Sequence, residues 1–362
     1  MIKHTYIHIP FCKSICSYCD FCKVFYNQKQ VAAYLEALNN EIKTIYNGEE
    51  QDTIYIGGGT PSSLDLNELE QLLKIINNIK KSKDIEYTIE CNFSTITLEK
   101  LRLFKKYGIN RLSFGVESII PNNLKVLERK ESKEEIKEVI SMARSLGFNN
   151  INLDLMYGIY NETIDSLNED LDFILSLNPE HISTYSLIIE ENTKLYLKNI
   201  QKIDEETDFL MYNIICDRLK SNYNHYEISN YAKVGYLSRH NLCYWKNKEY
   251  YGFGLGASSY RNGVRYTNTR SITKYLKNEY SFFEEKLTKE DKMVYEMILG
   301  LRLIDGVSKR DFYNKYKVNI KDYFNISEIL DSKLLEESKT NYYISEKNLY
   351  ISNEILVNFI KE

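Results

Sequence analysis

Apolar residues follow two alternating patterns along the first half of the chain. Short apolar runs predict strands, and longer segments with apolar residues at i, i+3 and i+4 spacing predict helices. The predicted strands are His4–Ile9, Thr53–Ile56, Ile85–Cys91, Arg111–Val116, Ile151–Met156 and His181–Leu187. The predicted helices between them are Val31–Tyr46, Leu66–Lys81, Thr97–Tyr107, Lys133–Leu146 and Ile164–Leu177. This succession of βα units predicts an α/β fold with a parallel sheet covered by helices.

The pattern changes after Thr288. Glu290–Leu303 is an amphipathic segment that Asp305-Gly306 ends, so it predicts a helix. Two further helices are predicted at Ser308–Lys315 and Ser327–Glu337. Tyr342–Ser352 predicts a hairpin with Glu-Lys-Asn at its turn. A helical segment with such a wing can bind DNA, but this one is not strongly basic, so we expect a lid or docking module.

Composition narrows the class of protein. The chain has 362 residues and a net charge of −4, which gives no electrostatic case for binding nucleic acid or an acidic membrane. It has no apolar run of about 18 residues or more, so no transmembrane helix is expected. Its seven cysteines, three of them clustered, indicate metal binding in a reducing compartment. Met-Ile-Lys-His leads directly into a predicted strand, so we expect no signal peptide and a cytoplasmic protein.

The cysteine cluster follows the first predicted strand. Cys12, Cys16 and Cys19 form a C-x-x-x-C-x-x-C run just after Pro10. Three thiolates on one loop can each bind one iron of a [4Fe–4S] cube and leave the fourth iron open for a small molecule. A zinc knuckle is the alternative, but zinc sites usually pair two cysteine arms, and the sequence has no second arm.

Polar and glycine residues stand at or after the carboxyl ends of the next predicted strands. They are the run Gly57-Gly58-Gly59-Thr60-Pro61, then Glu90, Glu117, Arg129 and Asp154. Consecutive glycines let the backbone approach a ligand closely. Each charged residue alone fits a solvated strand end. Ligands of β/α barrels bind at this end of the strands, so together these residues indicate one site.

The cysteine spacing and its flanks resemble the radical SAM superfamily. The flanking residues are Tyr6, His8, Ile9, Pro10 and Phe11 before the first cysteine and Asp20-Phe21 after the third. They resemble the branch that contains oxygen-independent coproporphyrinogen III oxidase and the HemW-type haem chaperones. The resemblance implies a partial (β/α)6 barrel with a small C-terminal helical, winged-helix-like domain. It divides the chain into a barrel over 1–225, a connecting segment over 226–287 and the C-terminal domain over 288–362.

The resemblance also implies a set of cofactor contacts. Cys12, Cys16 and Cys19 would hold the [4Fe–4S] cluster, and S-adenosylmethionine (SAM) would chelate its open iron. The residues implied to bind SAM are Tyr6, Gly58, Gly59, Thr60, Glu90, Glu117, Arg129 and Asp154. The chain departs from the family pattern in four places: Phe93 and Tyr160 replace prolines, Glu117 replaces glutamine, and Glu131 replaces histidine.

A second motif lies in the connecting segment. His240-Asn241-x-x-Tyr244-Trp245 matches the HNxxYW pattern of HemW-type proteins. A neutral imidazole is a common axial ligand of haem, and aromatic neighbours can pack on a macrocycle. The alternative is a motif that only docks this segment on the barrel. His181 heads an apolar strand and is expected to be a core histidine.

Three functions stay open. A HemW-type chaperone would bind haem as cargo, deliver it to acceptor proteins, take electrons for its cluster from a donor and form a homodimer. An oxygen-independent coproporphyrinogen III oxidase carries a further cysteine two residues after the third, where this chain has Phe21. A different radical SAM tetrapyrrole enzyme is the third candidate. Cys22 is then a spare thiol, an alternative cluster ligand or a site of oxidation.

Overall fold

The computed structural model describes residues 1–360. Its strands are β1 (His4–Ile9), β2 (Phe11–Cys12), β3 (Val24–Phe25), β4 (Gln51–Gly58), β5 (Lys81–Cys91), β6 (Arg111–Glu117), β7 (Ile151–Tyr157), β8 (His181–Ser186), β9 (Asn224–Glu227), β10 (Asn230–Ala232), β11 (Tyr251–Phe253), β12 (Ser258–Arg261), β13 (Val264–Asn268), β14 (Ser281–Lys286), β15 (Val307–Ser308), β16 (Glu336–Glu337) and β17 (Asn341–Tyr343).

The α-helices alternate with the strands of the first half and dominate the last quarter. They are α1 (Gln28–Ile45), α2 (Leu66–Ile76), α3 (Leu98–Lys106), α4 (Pro121–Leu127), α5 (Lys133–Ser145), α6 (Ile164–Ser176), α7 (Lys194–Leu197), α8 (Glu205–Leu219), α9 (Arg239–Trp245), α10 (Ile272–Tyr275), α11 (Lys289–Gly300), α12 (Lys309–Tyr316), α13 (Ile320–Tyr323), α14 (Ser327–Asp331) and α15 (Ser352–Leu356).

Nine strands form one curved sheet in the order β11-β1-β4-β5-β6-β7-β8-β10-β9. From β11 to β8 every neighbouring pair is parallel, whereas β10 and β9 add antiparallel strands at the far edge. In the described part of the chain the edge strands β11 and β9 do not pair with each other, so the barrel is unclosed. All six predicted strands are confirmed, and so is the predicted α/β partial barrel. The sequence pattern did not predict that β11 pairs with the outer edge of β1.

The predicted helices of the barrel are present, and side-chain caps define where they begin. Asn27 accepts a hydrogen bond from the Gln30 backbone N–H and starts α1 before the predicted Val31. Asp65 and Glu68 form a capping box at the start of α2. The predicted end of α2 at Lys81 was wrong. The helix ends at Ile76, and the chain from Lys81 onward pairs with β4 as strand β5.

The C-terminal region departs from the prediction at its wing. The expected hairpin over Tyr342–Ser352 was wrong: β17 pairs instead with β15 and with β16, which precede it in the chain. The expected turn Glu346–Asn348 is a 3-10 helix, and Ser352 begins α15. The physical reason is burial, because Ile344 and Leu349 each expose only 1% of their surface and hold this segment against the core.

One apolar core reaches through all parts of the chain, from Ile2 in the barrel to Phe359 near the end. The division at 225 and 287 therefore stays a prediction. Among the described helices, none has both the length and the apolar composition needed to cross a membrane.

Candidate functional site

The cysteine loop is fixed from several directions. Cys12 lies in β2, which pairs with β3 in parallel at the far end of the loop. Ser17 is fully buried, donates its backbone N–H to the Leu127 carbonyl and its hydroxyl to the Val126 carbonyl, and accepts from the Leu195 N–H. The loop is thereby tied to α4 and α7 as well as to the barrel.

The three cysteines face a cavity of about 630 Å³, called here the cluster cavity. The predicted site residues that line it are Cys12, Cys16, Cys19, Gly58, Gly59, Thr60, Glu90, Glu117, Arg129 and Asp154. Thus nearly the whole predicted set lies together, at the carboxyl ends of β4 to β7. Tyr6 and His240 are the two predicted residues that do not line this cavity.

The thiol arrangement fits a cluster better than a single ion. In the described residues, no group of three or more His, Cys, Asp and Glu side chains is close enough to hold one metal ion. Thiols that face one cavity without converging on a point fit a [4Fe–4S] cube, whose irons each bind a separate thiolate. Burial raises the pKa of Cys12 to about 11 and also raises the pKa of Cys16, so these thiols ionise readily only with a metal bound.

The glycine turn after β4 has no room for side chains. A Cβ atom at Gly59 would lie 2.7 Å from the Pro10 carbonyl carbon and 2.9 Å from Cys12 Sγ. Gly58 has φ +119°, and a Cβ atom there would meet the His8 ring at 2.6 Å. The glycines therefore let the β4 turn pack directly against the cysteine loop.

Glu90 and Asp154 are half-buried carboxyl groups in the cavity wall. Glu90 accepts hydrogen bonds from Tyr55 Oη at 2.9 Å and from the Gly58 N–H at 2.9 Å. Burial raises its pKa to about 7, and burial also raises the pKa of Asp154, which accepts from Asn152 Nδ2 at 2.7 Å. A cationic ligand would favour the charged form of both groups.

Arg129 places a positive charge in the same cavity wall. Its guanidinium donates to the Gly115 carbonyl at 2.6 Å and lies 3.2 Å from Glu131 Oε1 and 3.7 Å from Glu117 Oε1. Its Nη1 is 4.0 Å from Cys16 Sγ. Burial raises the pKa of Glu117 to about 7, although Arg129 opposes the shift. Arg129 is thus paired with the acidic side chain of Glu131, at the position where the family pattern has a histidine.

His240 lies inside the barrel wall and is 1% exposed. Its Nδ1 is 2.8 Å from Thr53 Oγ1, and its Nε2 is 2.8 Å from Tyr244 Oη. The ring stacks on Tyr55 at 5.2 Å, and burial lowers its pKa to about 3. In this conformation neither nitrogen is open to a haem iron, so the geometry favours the docking alternative.

His181 has a similar environment. Its Nδ1 is 2.5 Å from Asn152 Oδ1, and its Nε2 is 2.8 Å from Tyr226 Oη. The ring is fully buried, and burial lowers its pKa well below the usual range. It is a core histidine with both nitrogens satisfied, as expected.

Comparison with known proteins places this geometry in a family. The model of the Radical SAM superfamily matches residues 6–174, and that of the HemN C-terminal domain matches residues 287–351. The heme chaperone HemW of Bacillus subtilis is 37% identical over 100% of both chains. The chain belongs to the HemW family of radical SAM proteins. The heme chaperone HemW of Escherichia coli is 30% identical over 99% of this chain and 98% of its own length.

The HemW-family chain also shares its fold with a solved enzyme. Coproporphyrinogen III oxidase (HemN) from Escherichia coli, a radical SAM enzyme, superposes with a TM-score of 0.87 over 99% of this chain and 90% of its own. Their sequence identity is 21%, so this similarity shows the fold alone. Membership of the radical SAM superfamily implies a [4Fe–4S] cluster and SAM, and the cluster cavity has the donors that both require.

Sequence reasoning missed one charged residue of this HemW-family site. Arg111 begins β6, is 2% exposed and lines the cluster cavity, and its Nε has no hydrogen-bond partner. Its charge opposes the burial-raised pKa of Glu90 and of Asp154. Its position at the start of a strand gave no signal, because ligands of β/α barrels are expected at the carboxyl ends of the strands.

Proposed function

We propose that this protein is a haem chaperone, which binds a [4Fe–4S] cluster and SAM and hands haem to acceptor proteins. The observation that carries the proposal is the similarity to heme chaperone HemW over the full length of both chains. Phe21 supports it, because the oxidase-type fourth cysteine is absent at this position. Phe21 is 68% exposed and lines the cluster cavity.

In this proposal, Cys12, Cys16 and Cys19 hold the cluster. When bound, the cluster supplies one electron to SAM. Glu90 and Asp154 take the cationic amino and sulfonium side of SAM, and Arg129 takes its carboxylate. The Gly58–Thr60 backbone lies against the amino acid part of SAM, and Glu117 accepts from its ribose. Tyr6 supports this site without lining the cluster cavity, because its hydroxyl forms a hydrogen bond with His8 Nδ1 at 3.0 Å.

The partners follow from the same proposal. They are haem, haem-accepting proteins and an electron donor for the cluster, and the protein acts as a homodimer. A cytoplasmic location suits seven unpaired cysteines. His240 can bind the haem iron only if one of its ring nitrogens gives up its hydrogen bond to Thr53 or Tyr244.

An anaerobic haem titration of the cluster-reconstituted protein tests the function. The Soret band is followed for wild type and His240→Ala, and the same samples then receive coproporphyrinogen III, SAM and a reductant. We expect tight haem binding and no decarboxylation. Decarboxylation with SAM cleavage would make the protein an oxidase instead. Loss of haem binding in a folded His240→Ala variant would show that haem binding depends on His240, either as the iron ligand or through its hydrogen bond to Tyr244.

A further inference from the structure

A second cavity of about 590 Å³ lies next to the cluster cavity and is called here the side cavity. Asp20 and Phe21 line both cavities, so the two cavities share this short stretch of the cysteine loop. The other walls come from α9, with Tyr244 and Trp245, and from the β12–β14 sheet, with Arg265. Its volume falls within the roughly 300–1,000 Å³ typical of small-molecule and cofactor sites.

The side cavity is lined by three cations and a single acidic side chain. The cations are Lys248, Arg265 and Arg270, and the acid is Asp20. Arg270 donates to the backbone carbonyl of Asp20 at 3.0 Å, not to its carboxylate. The lining therefore has a positive excess that an anionic ligand would neutralise.

Arg265 is held in place by neutral groups. Its guanidinium stacks on the rings of Tyr260, at 4.7 Å, and Tyr295, at 4.0 Å, and donates to Asn247 Oδ1 at 3.0 Å. Its Nε is buried and has no hydrogen-bond partner. A guanidinium positioned in this way, with no carboxylate as partner, suits a ligand carboxylate.

Aromatic side chains form a further part of the lining. Phe21 exposes 68% of its surface, and Tyr244 and Trp245 continue the wall. Trp245 Nε1 is also buried without a hydrogen-bond partner. Aromatic rings together with unpartnered donors and cations match a flat, apolar ligand that bears carboxylates.

We propose that the side cavity binds the haem cargo, with the macrocycle against Phe21 and Trp245 and the propionates on Arg265 and Arg270. This inference rests on the proposed haem chaperone function. It puts haem on the outer side of the cysteine loop, separated from the SAM-binding wall by Asp20 and Phe21. His240 then supports the site through Tyr244, whose hydroxyl it bonds, rather than binding iron.

The test compares haem with haem dimethyl ester, in which both propionates are esterified. The cluster-reconstituted full-length protein is titrated with each compound as wild type, Arg265→Gln, Arg270→Gln and Arg261→Gln. Arg261 is the matched control, since it stacks on Tyr266 at 4.4 Å in the same sheet and does not line the side cavity. Thermal unfolding and iron–sulfur absorbance show that each variant is folded.

We expect Arg265→Gln and Arg270→Gln each to weaken haem binding about tenfold, the loss of one hydrogen bond to a charged group. The same substitutions should leave affinity for the dimethyl ester unchanged, and Arg261→Gln should match wild type with both compounds. Haem affinity unchanged in both test variants, or haem and ester weakened equally, would overturn the side-cavity site. Failure of wild type to bind haem would instead refute the proposed chaperone function.

Discussion

Cys22 follows Cys19 by three residues but faces a different cavity. It lines the side cavity and not the cluster cavity. A Cβ atom at Gly256 would lie 2.8 Å from the Cβ atom of Cys22. Cys22 is therefore a poor candidate for an alternative cluster ligand. Its thiol packs against the turn after β11.

Single cysteine substitutions test this assignment. Cys12→Ala, Cys16→Ala and Cys19→Ala should each remove the iron–sulfur absorbance of the reconstituted protein, whereas Cys22→Ser should retain it in full. Iron and sulfide content per chain is the measurement. A full cluster in any of the first three variants, or a lost cluster in Cys22→Ser, would show that the ligand set is different.

Asp154→Asn tests the cavity wall with minimal change of shape. The amide oxygen can still accept from Asn152 Nδ2, so the fold should be retained. The lost negative charge should weaken SAM binding by about 1–3 kcal/mol, the scale for a hydrogen bond to a charged group. Isothermal titration of the cluster-loaded variant measures this, with Glu36→Gln on the exposed face of α1 as control. Equal SAM affinity in both variants would remove Asp154 from the site.

At the scale of elements, a buried carboxylate joins α1 to the β11–β13 region. Glu41 is fully buried and accepts from Tyr275 Oη at 2.6 Å, the Gly254 N–H at 2.8 Å and Asn268 Nδ2 at 2.6 Å. These three bonds fix the turn that leads from β11 into the side cavity. Burial still dominates and raises the pKa of Glu41 to about 7.

The raised pKa of Glu41 predicts a pH dependence of stability. From the ordinary glutamate pKa of 4.5 up to about 7, the unfolded chain releases this proton and the folded chain keeps it. The contribution of Glu41 is thus fully present below pH 4.5. As pH rises through this range, the free energy of unfolding falls by about 1.4 kcal/mol per pH unit and by about 3 kcal/mol in all. The free energy of unfolding, measured with urea between pH 5 and 7, should not fall in this way in Glu41→Gln. The control Glu36→Gln should keep the wild-type slope. Identical slopes in the two variants would contradict the assignment.

Periodicity predicted the elements whose burial is local. The strands β1 and β4 to β8 and their helices each carry their own apolar face, so their order and the cluster cavity at their ends could be read from the sequence. The hairpin over Tyr342–Ser352 failed because burial of Ile344 and Leu349 against the core outweighed a turn-like composition. The hydrogen bond between His240 and Thr53 joins residues 187 positions apart, and no local pattern predicts such a pair.

At the scale of the whole molecule, the C-terminal region completes the barrel edge. The Ile228 N–H donates to the Arg302 carbonyl at 3.2 Å, and the Ile304 N–H donates to the Tyr226 carbonyl at 3.1 Å. These bonds continue the sheet beyond β9. The guanidinium of Arg302 also lies 5.2 Å from the ring of Trp245, which lines the side cavity. The region is therefore part of the barrel's support and not only a lid.

Removal of residues 288–362 tests the predicted domain division. Met297 and Leu301 are fully buried in the common core, so their loss exposes apolar surface and leaves β9 unpaired on one side. We expect the chain 1–287 to lose its cooperative thermal transition and its capacity to take up a cluster. Tyr350→Phe is the mild control: it removes one hydrogen bond to Asp208 Oδ2, at 2.8 Å, and should lower stability by about 1 kcal/mol. A truncated chain that unfolds cooperatively near the temperature of the full chain and binds a cluster would instead make the barrel an independent domain.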